Sequence, residues 1–124
     1  MMAAAFAARP ALITPFVTRP AEVVPDRAAL GLAPAADAAH GVYKLRAATG
    51  TPDGTIVLQG SEVAYAFVEE TLPLLAEAGI DLDVFLVTSP ELFDRLPVER
   101  RAEIFPEAAA QRAVSYTHLT LPTN

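Results

Sequence analysis

Cysteine is absent from this 124-residue chain, which excludes disulfides, thiolate metal sites and a cysteine nucleophile and leaves the redox compartment open. Histidine is scarce: His40 and His118 are the two that occur. Nothing near His40 offers Ser, Cys or Asp at a spacing that implies a triad, and its one candidate partner, Asp37, shares a linker-like stretch with it. Positive charge is also short, with nine scattered Lys and Arg against fifteen Asp and Glu and a net charge of -6. That balance disfavours nucleic-acid binding. No apolar run approaches the length of a membrane span. The Ala-rich start at residues 1–8 lacks the basic region of a signal peptide and is broken at Arg9-Pro10, so a cytoplasmic protein is expected.

What the chain does have is enough apolar material for one modest core. Alanine inflates the 52% hydrophobic share, so the anchors are the Leu, Ile, Val and Phe residues. Residues 2–8 suggest a helix stopped by Pro10. Residues 11–17 read as a strand, confined to an edge by Pro15. Residues 20–40, with Pro20, Pro25 and Pro34 and little periodicity, read as an ordered inter-domain linker.

Downstream the pattern sharpens. Residues 41–47 are a strand candidate, Pro52-Asp53-Gly54 a turn, and residues 55–59 a compact β-branched strand. A helix follows, with Ala64, Phe67, Val68, Thr71, Leu72 and Leu75 on one side and Glu62, Glu69, Pro73 and Glu77 opposite. Ser61 is the expected N-cap and Gly79 the left-handed C-terminal residue. Pro73 is the flaw, since mid-helix proline costs on the order of 3 kcal/mol unless the helix bends. Residues 82–88 are nearly all apolar after Asp83, as in a strand covered on both faces. Ser89-Pro90-Glu91 then starts another helix, and residues 98–104 a further one before Pro106. The expected fold is α/β, a partial parallel or mixed sheet with flanking helices and a right-handed crossover.

The candidate chemistry is thin. Gly60-Ser61 sits where open α/β sheets bind ligands, but it is one glycine, and Glu62 would repel an anion, so ordinary capping is favoured. Glu62, Glu69, Glu70 and Glu77 read as a solvated helix face rather than a metal site. Asp81 and Asp83 read as charges that keep a sheet edge soluble. Arg19, at the end of Phe16-Val17-Thr18-Arg19-Pro20, is the one candidate binding residue, a guanidinium able to hold a phosphate or carboxylate, although by itself it reads first as an exposed salt-bridging arginine. No catalytic set assembles from spacing alone.

The order of Gly41-Val42-Tyr43, Gly60-Ser61-Glu62-Val63, Ala78-Gly79-Ile80 and Ser89-Pro90-Glu91-Leu92-Phe93-Asp94 resembles the C-terminal domain of transketolases. Thr18-Arg19 resembles the Ser/Thr-Arg-Gln motif that ends the preceding pyrimidine-binding domain, with Pro20 departing from the usual glutamine. The resemblance implies the end of that domain at residues 1–20, a linker at 21–40 and an incomplete transketolase C-terminal domain at 41–113. It further implies a parent enzyme that uses thiamine diphosphate and magnesium to move a two-carbon ketol unit between sugar phosphates, acting as a homodimer, with Arg19 on the substrate phosphate. The chain has no diphosphate-binding Gly-Asp-Gly motif, so it is expected to be inert alone. A thiamine-dependent 2-oxoacid (pyruvate) dehydrogenase component and a non-enzymatic interaction module are the alternatives. Residues 114–123 resemble one reading frame of a sequencing-library adaptor, which gives residues 114–124 the character of a fusion scar.

Overall fold

The computed structural model describes residues 1–17 and 21–116, with side chains through Ala113. Four strands form one sheet: β1 (Val42–Arg46), β2 (Gly54–Gln59), β3 (Leu82–Val87) and β4 (Ala113–Tyr116), in the order β1-β3-β2-β4. β3 runs antiparallel to β1 and parallel to β2, and β4 joins the far side of β2 in parallel. The expected α/β class with a mixed sheet is therefore present. The helices are α1 (Met2–Ala7), α2 (Ser61–Ala66), α3 (Leu72–Glu77), α4 (Pro90–Asp94), α5 (Val98–Ile104) and α6 (Glu107–Gln111), with a 3-10 helix at Ala35–His40. No helix among the described residues is long and apolar enough to cross a membrane.

Strand alternation divides the core into two layers. Tyr43, Leu45, Leu58, Val84 and Leu86 turn to one face, where Val63, Phe67 and Val68 of the long helix and Leu32 of the upstream segment cover them. Val42, Phe85 and Val87 turn to the other, against Phe93, Ile104, Phe105 and Ala109. Phe105 meets Phe85 edge to face, with ring centroids 4.7 Å apart. Burial on both faces explains why β3 reads as an unbroken apolar run.

Pro73 is accommodated differently from the expected bend. Between α2 and α3 the chain makes a π-helical turn, Phe67–Thr71, in which the Leu72 amide donates to the Phe67 carbonyl five residues back. Pro73 thus falls in the first turn of α3, where its missing N–H and rigid ring are tolerated. The mid-helix penalty does not arise. At the far end Gly79 takes φ +72°, with its amide on Ala76 and that of Ile80 on Leu75, a Schellman closure.

Two expectations need correcting. Ser61 is not the N-cap: Gly60, at φ +94°, holds that position, and no side chain caps the helix. The chain turns so sharply out of β2 that a backbone glycine is used where a hydroxyl was expected. Residues 11–17 are not a strand, because no described strand lies beside them to pair, and Leu12, Phe16 and Val17 are exposed. The adaptor-like stretch, by contrast, supplies the last three residues of β4. A backbone ladder discriminates little between sequences, so an open strand edge accepts any extended segment.

Gly41 joins the start of β1 to the end of β3. Its carbonyl accepts from the amides of Thr88 and Ser89 at 2.8 and 3.0 Å. A Cβ there would overlap the Ser89 carbonyl and lie 2.6 Å from the Phe93 nitrogen, and φ is +82°. Left-handed strain and overpacking together put the cost of Gly41→Ala at about 3 kcal/mol. Urea unfolding of the variant measures this, and a loss under about 1 kcal/mol would contradict the packing described.

Candidate functional site

The carboxyl ends of β2 and β3 lie side by side, with Gln59 opposite Val87, and form the crevice where parallel sheets usually bind ligands. Here the polar groups at the β3 end are engaged by the protein itself, whereas Gln59 at the β2 end is exposed. Ser89 caps α4, its Oγ accepting from the Leu92 amide at 3.3 Å and donating to Glu91 at 3.1 Å. Thr88 Oγ1 donates to the Ala38 carbonyl at 2.8 Å. Gly60-Ser61 faces solvent beside the exposed Glu62.

His40 ends the 3-10 helix on the rim of an open depression shared with Asp37, Tyr43, Lys44, Arg100 and Glu103. The fold therefore does bring Asp37 and His40 to one place. The cations around them are committed: Lys44 pairs with Asp83 at 3.4 Å and lies 5.4 Å over the Phe85 ring, and Arg100 pairs with Glu103 at 2.9 Å. Glu62, Glu69, Glu70 and Glu77 lie exposed along the long helix. Among the described residues no group of three His, Asp or Glu is arranged to hold a metal. Arg19 lies outside the described residues.

Asp81 and Asp83 are the polar centre that sequence reasoning misread. β3 is an inner strand, so these carboxylates do not guard an edge. Asp83 is buried; its Oδ1 accepts from the Ala48 amide at 3.0 Å and its Oδ2 from Lys44. Asp81 Oδ2 accepts from both the amide and the hydroxyl of Thr49 at 2.7 Å, and Oδ1 from Arg46 at 3.2 Å. Asp53 completes the clamp, its Oδ2 accepting from the Asp81 amide and its own amide donating to the Asp81 carbonyl, both at 2.8 Å. The two carboxylates bind the β1–β2 connection to the start of β3. The available signal was Asp83 itself, a charge inside an apolar run that burial obliges to find partners.

The Thr49 hydroxyl and amide hold the Asp81 carboxyl below its usual value of 3.8; desolvation opposes them, and Arg46 and the Gly50 amide add to the lowering. A folded-state value below the unfolded one stabilises the fold fully above the usual range, and that contribution is lost as pH falls through the lowered value. Asp81→Asn is expected to flatten the acid limb of the stability profile below pH 3.8, measured by urea unfolding across pH. An unchanged acid limb would show that Asp81 does not contribute.

The model of the transketolase-like TK C-terminal domain matches residues 41–121. The chain belongs to this family. The match spans the whole sheet and runs into the adaptor-like stretch. Among solved structures, a transketolase from Pichia stipitis in complex with sedoheptulose-7-phosphate is 28% identical over 57% of this chain and 10% of its own, with a TM-score of 0.46. A variant of a Pichia stipitis transketolase in complex with fructose-6-phosphate gives the same values. The chain spans about a tenth of the length of these transketolases. No curated protein matches it.

Transketolase-type catalysis implies thiamine diphosphate and a metal, and the described residues do not fit that group. The polar groups at the end of β3 are engaged by backbone and caps, the cations of the depression are paired, and among the described residues no carboxylate set is placed for a metal.

Proposed function

We propose that this chain is a piece of a thiamine-diphosphate-dependent, transketolase-like enzyme that transfers a two-carbon ketol unit between sugar phosphates, and that it is inert by itself. The observation that carries this reading is the family match over residues 41–121, across the complete β1-β3-β2 arrangement. On this reading residues 1–20 end a pyrimidine-binding domain, 21–40 link it to the C-terminal domain at 41–113, and 114–124 are an adaptor-derived tail. The parent would be a cytoplasmic homodimer holding thiamine diphosphate and magnesium in its other domains, where the cofactor supplies the carbanion chemistry.

The purified chain, given thiamine diphosphate, magnesium, a ketose phosphate and an aldose phosphate, is expected to show no ketol transfer in a coupled assay. Turnover above the protein-free rate would overturn the assignment of chemistry to other domains. Arg19 is proposed to contact the substrate phosphate. In the complete enzyme Arg19→Ala is then expected to raise KM for the ketose phosphate about tenfold or more with kcat little changed, because a charge-assisted contact to a non-reacting group is lost. An unaltered KM removes Arg19 from the site, and a parent that consumes pyruvate instead removes the transketolase reading.

A further inference from the structure

Residues 26–33 lie upstream of the matched domain yet are bonded into it. Asp26 opens a turn, its Oδ1 accepting from the Ala29 amide at 3.1 Å and its carbonyl from the Leu30 amide at 3.1 Å. The Leu32 amide returns to the Arg27 carbonyl at 2.8 Å, and the Leu32 side chain enters the core beside Tyr43 and Leu45. The Ala33 amide donates to the Leu45 carbonyl of the edge strand β1 at 2.7 Å. Arg27 closes the segment: its Nη1 donates to the Ala33 carbonyl at 2.7 Å and to the Tyr43 hydroxyl at 3.2 Å. Immediately upstream, residues 21–25 donate no hydrogen bond to any described residue.

We propose that residues 26–33 form a docked strap, locked by Arg27, which opens and closes on the sheet as a unit. The strap is tied by one buried apolar plug, Leu32, with the half-buried Ala33 packed beside it, by one backbone bond to β1 and by one guanidinium shared between two acceptors. β3, in contrast, is laddered on both sides and buried on both faces. Segments with so few ties open at lower free energy than the core they rest on. Closed, the strap covers part of an edge strand that would otherwise be open to pairing. Opened, it uncovers Leu45 and the site vacated by Leu32, while residues 1–8 keep a separate tie through the Ala8 carbonyl, which accepts from Arg95 at 2.8 Å.

Native-state hydrogen exchange on the full chain tests this. Loss of a charged donor makes the Leu32 and Ala33 amides of Arg27→Ala exchange about tenfold or more faster than in the parent chain. In the unaltered chain both amides are expected to exchange faster than that of Phe85 and with weaker urea dependence. Val87→Ala, in the opposite core layer, should speed Phe85 and leave Leu32 and Ala33 unchanged. The proposal is overturned if the strap amides share the rate and urea dependence of Phe85, or if Arg27→Ala leaves them unmoved. Should Arg27→Ala fail to fold, Arg27→Lys, which keeps the charge but loses the planar fork, is read against the same outcomes.

Discussion

The two-sided burial of β3 is the constraint on which the other elements depend. Val84 and Phe85, adjacent in sequence, are both fully buried because each faces a different helical layer. Burying such side chains contributes about 1.5–3 kcal/mol each, so a pair pointing in opposite directions ties both layers to one strand. The ends of β3 extend the same control. Asp81 and Asp83 at its start hold the β1–β2 connection, and Thr88-Ser89 at its end receive Gly41 and begin α4. β1 and β2 are positioned by β3, one antiparallel and one parallel.

That economy bears on function. Parallel sheets leave polar groups free at their strand ends when those ends bind ligands. In this domain Ser89, Thr88 and Gly41 satisfy one another or nearby backbone, and the acidic pair at the opposite end is spent on amides and on Lys44 and Arg46.

Much of this was legible in the sequence where local signals and tertiary packing agree. The apolar run at β3, the Ser89-Pro90-Glu91 helix start, Gly79 after α3 and the helix from Val98 to Ile104 all stand where local chemistry puts them. The misreadings share a cause, a choice made by the backbone or by distant partners. Pro73 reads as a mid-helix defect until the π-helical turn shifts the register ahead of it. Ser61 has the chemistry of a cap, but the turn out of β2 gives the position to Gly60. Residues 11–17 have strand composition without a partner strand among the described residues, and composition alone makes no strand. Asp83 was read by its charge, whereas its place on an inner strand decides its role. Arg27 has no local signal, since one of its acceptors, the Tyr43 hydroxyl, lies on a strand sixteen residues away.

The central proposal is that this transketolase-like C-terminal domain is a piece of a larger thiamine-dependent enzyme. Long-read sequencing of the source DNA across both ends of the reading frame tests it most directly. The account predicts a frame that continues upstream into a Gly-Asp-Gly cofactor motif and downstream of Ala113 without the Val114-Ser115-Tyr116 codons. A stop codon directly after Asn124, together with a start that opens only this segment, would contradict it and make the domain a protein in its own right.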